Sequence, residues 1–131
     1  MAKILIIEDD PLMQRMYNKI FTFEKYDVDV AANGSEGLSK VKSGKPTLIL
    51  LDIMMPKMNG LEVLKSLKAS EATKKIPVVM LTNLAGQEDA ETALKLGAVR
   101  YIVKSEHEPE EVTKIVKGIL KGYTREEVPT G

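Results

Sequence analysis

Asp52 ends the apolar run Leu48-Ile49-Leu50-Leu51 and is followed at once by Ile53-Met54-Met55-Pro56. A carboxylate closing a strand-like apolar stretch stands at the carboxyl edge of a sheet, where open α/β folds keep their ligands and chemistry. A second apolar run, Ile4-Leu5-Ile6-Ile7, meets Glu8-Asp9-Asp10 in the same way. If the two strands are neighbours, three or four carboxylates share one small volume and repel one another. Such a cluster demands a divalent cation, a raised pKa, or both, and an oxygen-only donor set suits Mg²⁺. Two further groups follow later apolar runs: Thr82-Asn83 after Val78 to Leu81, and Lys104-Ser105 after Arg100 to Val103. Together these residues make a kit for phosphoryl transfer to an aspartate. Asp52 would attack an activated phosphorus, Mg²⁺ and Lys104 would offset charge on the equatorial oxygens, and Thr82 would donate to one of them.

Bringing these groups together requires elements that end on one edge. Short apolar runs alternate with longer segments of helical period, a rhythm that predicts βα units around a mostly parallel sheet. Strands are expected at Lys3 to Ile7, Asp27 to Ala31, Leu48 to Leu51, Val78 to Leu81 and Arg100 to Val103. Helices are expected near Pro11 to Glu24, Ser35 to Ser43, Gly60 to Lys68, Glu88 to Leu96 and Glu110 to Leu120. Pro11 and Pro109 sit where a first helical turn tolerates proline, and Gly44 and Gly97 where helices end. Ser70 to Ile76 reads as polar connecting chain. Right-handed connections then place every strand's carboxyl end on the same edge.

With 131 residues there is room for one well-buried domain, taken as residues 1–121, with 122–131 as a tail or the start of a linker. The 19 basic and 19 acidic residues cancel, so no overall field favours nucleic acid or an anionic membrane. The absence of cysteine excludes disulfides, thiolate catalysis and zinc fingers. Lys3 is followed by a short apolar run that meets three acids, unlike a signal peptide, and no stretch approaches the length of a membrane span. The expected location is the cytoplasm.

The acid pair, Asp52, Thr82, Lys104 and the stretch Leu51-Asp52-Ile53-Met54-Met55-Pro56-Lys57-Met58-Asn59-Gly60 resemble the receiver domain of bacterial two-component response regulators, in particular the single-domain chemotaxis receiver. The resemblance runs from Lys3 to about Leu120. It implies a flavodoxin-like (βα)5 three-layer sandwich with strand order 2-1-3-4-5. It also implies that Asp52 is the phosphoacceptor, that Thr82 and Lys104 assist, and that Thr82 and Tyr101 form a switch. For the metal it implies Asp9 as a direct ligand, Glu8 as an outer or water-mediated one, with Asp52 and the Met54 carbonyl completing the protein's share. The implied partners are a sensor histidine kinase or histidine phosphotransfer protein, and an output partner on the face of the fourth helix, fifth strand and fifth helix. Two departures stand out: Ser105 where proline is usual, which favours a trans peptide and a differently placed loop, and Asn83 where the family is usually very small. Asn83 would either restrict donor entry or add a hydrogen bond to the phosphoryl group.

Other residues have plainer readings. Asp10 is read as the cap of the helix opening at Pro11, His107 as a solvated side chain, and the seven methionines mostly as core filler. Leu12, Met13, Met16, Tyr17, Ile20 and Phe21 sweep about half the circumference of the first helix, wider than burial of one face requires. Core packing accounts for much of that stripe, and the resemblance makes Met13 and Tyr17 candidates for docking the phosphodonor. Against the stand-alone switch stand two alternatives: the receiver half of a DNA-binding transcriptional regulator cut at its linker, and an aspartyl-phosphate phosphohydrolase. The second lacks the acid it would need at position 54, which is Met. No basic, aromatic-interleaved stretch offers nucleic-acid binding by this domain itself.

Overall fold

The computed structural model describes residues 2–124. Five parallel strands, β1 (Lys3–Ile7), β2 (Asp27–Ala31), β3 (Leu48–Leu51), β4 (Val78–Thr82) and β5 (Arg100–Val103), form one sheet in the order β2-β1-β3-β4-β5. The helices are α1 (Pro11–Phe23), α2 (Gly34–Gly44), α3 (Gly60–Ala69), α4 (Gln87–Lys95) and α5 (Pro109–Thr124), with a 3₁₀ turn at Lys104–Glu106. This is the flavodoxin-like three-layer sandwich in the expected strand order.

Strand alternation divides the core. Leu5, Ile7, Ile49, Leu51, Val78 and Met80 face α2, α3 and α4, where Val41, Val63, Leu64, Leu67 and Ala93 meet them. Ile4, Ile6, Leu48, Leu50, Val79, Leu81 and Ile102 face Tyr17 and Phe21 of α1 and Val112, Val116 and Leu120 of α5. With helices on both faces the central strands are apolar throughout, and all four residues of β3 are buried. At roughly 1.5–3 kcal/mol per fully buried aliphatic side chain, this two-sided burial is the main force holding the sheet.

Local chemistry sets the helix starts. Asp10 accepts from the Leu12 N–H at 2.9 Å and precedes Pro11 at N1, as expected of a cap. Asn59 and Glu62 form a reciprocal capping box at 3.1 Å each way. Gly60, which opens α3, is obligatory for a different reason: a Cβ there would lie 2.0 Å from the Asp52 carbonyl oxygen.

Several boundaries differ from the sequence reading. β4 runs one residue further, so Thr82 is its last residue and not the first after it. α2 includes Gly44, and the left-handed terminator is Lys45 at φ 45°; Gly97, at φ 110°, does mark the turn after α4. The segment after α3 is more than polar connection: the buried Thr73 hydroxyl donates to the Leu67 carbonyl at 2.6 Å, and Lys68 Nζ donates to the carbonyls of Lys74 and Ile76. α5 starts at Pro109 and continues to Thr124, taking in the first residues of the expected tail; residues 125–131 lie outside the described residues.

Candidate functional site

Register brings the acids together. Ile7 pairs with Leu51 across β1 and β3, the Asp52 N–H donates to the Ile7 carbonyl at 3.1 Å, and the Glu8 N–H to the Ala31 carbonyl at 3.0 Å. Glu8 and Asp52 therefore leave adjacent strands at the same height. One carboxylate oxygen from each of Glu8, Asp9 and Asp52 lies within 4.8 Å of the other two. Asp9 is exposed, while Glu8 and Asp52 are only 4% and 7% exposed.

Lys104 closes the cluster. Leaving β5, its Nζ donates to Glu8 Oε1 and lies 3.4 Å from Asp52 Oδ2, and its side chain is buried. The remaining oxygens are also engaged: Asp10 N–H donates to Glu8 Oε2 at 3.1 Å and Met54 N–H to Asp52 Oδ1 at 3.3 Å. Burial raises the Glu8 pKa above its ordinary value, the Lys104 bond opposes this, and the charge of Asp52 adds to it. Burial, and secondarily the charge of Glu8, push the Tyr17 phenol up to about 12. Two buried carboxylates and one exposed one, with a single ammonium among them, fit a hard divalent cation by donor type and spacing.

Thr82 and Tyr101 meet through a residue that the sequence did not single out for that purpose. Thr82 is fully buried at the end of β4, and its hydroxyl accepts from the Leu84 N–H at 3.3 Å. The Tyr101 hydroxyl donates to the Leu84 carbonyl at 2.7 Å, and its half-buried ring packs against the core on the α4 side. The backbone of Leu84 thus joins the two. No residue type announces Leu84's part in this link, since it uses only main-chain groups. Gln14 is a second such support, its Nε2 donating to the Glu8 carbonyl at 2.5 Å.

Other expectations fare differently. Tyr17, a docking candidate, is buried, stacked near Phe21 with centroids 6.2 Å apart, and serves the core; Met13 is half-buried. The large apolar side chains exposed on α1 are Leu12 and Phe23. His107 is half-buried, not freely solvated, with its Nδ1 turned inward 3.8 Å from Glu111 Oε2. The Lys104–Ser105 peptide is trans, and a 3₁₀ turn carries the chain into α5. Asn83 and Met54 are exposed beside the cluster.

Comparison with known proteins gives a consistent picture. The family described as response regulator receiver domain matches residues 4–117. A probable transcriptional regulator, ycf27 of Porphyridium aerugineum, is 38% identical over 119 residues, covering 91% of this chain and 48% of that protein. A CheY-like receiver domain protein from Methanospirillum hungatei superposes with a TM-score of 0.88 at 32% identity, covering 97% of this chain and 99% of that one. The Mn²⁺-bound form of response regulator Rcp1 superposes with a TM-score of 0.79 at 26% identity, covering 99% and 100% of the two chains. The chain spans about half the length of the curated relatives it matches.

Proposed function

Since the chain belongs to the response regulator receiver domain family, the phosphoacceptor switches of two-component signalling, we propose that Asp52 is its phosphorylation site, with Glu8, Asp9 and the Met54 carbonyl as the other members of an Mg²⁺ site. The observation that carries this reading is the cluster itself: three carboxylates drawn together at the edge where strands β1, β3 and β5 end, two of them, Glu8 and Asp52, paired with the buried Lys104 ammonium. A bound Mg²⁺ would supply positive charge for the phosphoryl oxygens. The Mn²⁺-bound Rcp1 supports a divalent cation in a related domain.

In the proposed reaction an Asp52 carboxylate oxygen attacks phosphorus in line. The bond to the donor's histidine nitrogen or acyl oxygen breaks, and that leaving group keeps the electron pair. Lys104, which shares its donors between Glu8 and Asp52, swings one N–H to an equatorial oxygen. Thr82 offers its hydroxyl to another. Water attacking the same phosphorus in line breaks its bond to the Asp52 oxygen, restoring the carboxylate and releasing inorganic phosphate. Thr82 then draws on Leu84, and Leu84 on Tyr101, which biases the face of α4, β5 and α5 toward its output partner.

The donor is a sensor histidine kinase or histidine phosphotransfer protein, met in the cytoplasm. Among the described residues no helix is long and apolar enough to cross a membrane. The proposed receiver unit covers residues 1–121. The length of the relatives favours one second reading, that this is the amino-terminal half of a DNA-binding regulator; the reading frame beyond the codon for Gly131 tests it. For the site, acetyl phosphate with Mg²⁺ should add one phosphoryl group to the intact mass. Asp52→Asn should take none, and unchanged labelling of that variant would refute the assignment.

A further inference from the structure

Among the described residues β2 lies at an edge of the sheet, with β1 as its only neighbouring strand. An edge strand presents unpaired N–H and C=O groups that can template another chain. In β2, Asp27 N–H donates to the Ala2 carbonyl and the Ala31 carbonyl accepts from Glu8 N–H, so the odd residues turn their groups to β1. By strand alternation those of Val28 and Val30 face outward. Both groups of Val30 are occupied. Its N–H donates to Asp29 Oδ1 at 2.9 Å, and its carbonyl accepts from Lys40 Nζ at 2.5 Å. Lys40 reaches over from α2 and is held by Asp29 at 3.1 Å and Glu36 at 3.3 Å. Burial works against the Asp29 carboxylate, yet the Lys40 ammonium and the Val30 N–H hold its pKa below the ordinary value.

We infer that the Asp29–Lys40 clamp closes the β2 edge to a second copy of this chain, and that without it two β2 strands pair antiparallel about a twofold axis. The occupant is a second copy because the strand is self-complementary about Asp29. Val28 of one copy would exchange both hydrogen bonds with Val30 of the other, and Val30 with Val28. That pairing sets Asp29 opposite Asp29 as a non-hydrogen-bonded pair, where side chains come closest and like charges repel. Asp29 therefore guards the edge twice, by filling the Val30 N–H and by repelling its own copy, while Lys40 fills the carbonyl. Without Asp29 in that role, the edge presents Val28 and Val30, both β-branched and half-buried and suited to strand extension.

The test uses the full chain with Asp29→Thr and Lys40→Met together, since threonine suits a strand and methionine a helix. This variant should shift from monomer toward dimer in sedimentation, with new amide-exchange protection at Val28 and Val30. A second variant, Asp29→Lys with Lys40→Met, sets lysine against lysine across the axis and should keep both amides as exposed as the parent keeps Val28. A first variant without new protection at Val28 at millimolar concentration overturns the inference. So does a dimer protected elsewhere, or equal association of the second variant. The site chemistry is a separate matter: Asp52 labelling should be unchanged in both variants, and its loss would bear on the phosphorylation reading without touching the β2 edge.

Discussion

Glu8 is caught between burial, which favours its protonated form, and Lys104, which favours its charge. The balance raises its pKa above the ordinary 4.5. A carboxyl with a raised folded pKa contributes stability that is fully present below the unfolded value and lost as pH rises through the folded one. Glu8→Gln carries no such charge. In EDTA its unfolding free energy should match the parent's near pH 4 and exceed it increasingly above pH 4.5, as urea titrations would show; a variant less stable at pH 7 than at pH 4 relative to the parent would contradict the sign. A second residue-scale prediction concerns lifetime. Met54 is exposed beside Asp52, and Leu84 lies two residues past Thr82; neither side chain can hold a water by hydrogen bonding. Phosphate loss should therefore be slow. Met54→Asn with Leu84→Glu should speed it severalfold, because the backbone link through Leu84 survives the side-chain change. Decay in Mg²⁺ after donor removal measures this, and equal decay in variant and parent would clear these positions of the role.

At the scale of elements, neighbouring acids do different work because one belongs to a loop and the next to a helix cap. Asp9 points its carboxylate into the cluster, while Asp10 accepts from the Leu12 N–H and starts α1. Asp10→Ala should cost about 1 kcal/mol of stability and leave Mg²⁺ affinity intact. Asp9→Ala should do the reverse, weakening Mg²⁺ sharply at nearly unchanged stability, with amide shifts as the titration readout. If the two variants exchange these effects, the metal and cap assignments exchange with them. Asp10 before Pro11 was legible as a cap because the chemistry is local. The 3₁₀ turn at Lys104–Glu106 was not, since Ser105 in place of proline says only what the loop avoids.

Across the whole molecule, the proposed path from site to surface runs through the Leu84 backbone, whose N–H donates to the Thr82 hydroxyl and whose carbonyl accepts from the Tyr101 hydroxyl. Beryllofluoride with Mg²⁺, a mimic of the phosphoryl group, should shift amides around Asp52 and also on α4 and β5, near Gln87, Glu91 and Arg100. Tyr101→Phe keeps the ring and removes the donor. It should leave Asp52 labelling intact while shrinking the shifts on the far face, and a variant with full far-face shifts would show that coupling bypasses the hydroxyl.

The sequence by itself determined the alternation of strands and helices, since period and punctuation are local properties. It also placed Asp52, Thr82 and Lys104 at strand ends and supplied acids able to hold a cation. Only the tertiary structure decided how those ends are used. The pairing of β1 with β3 puts Glu8 level with Asp52, the burial of Lys104 turns a surface-type residue into the cluster's counterion, and packing of α1 takes Tyr17 inward while leaving Phe23 outside. Gly60 shows the division most sharply. Its sequence position reads as a helix start, but the reason it must be glycine is a carbonyl of Asp52 that approaches within 2.0 Å of where a Cβ would be, and that closeness exists only once the loop and helix have packed together.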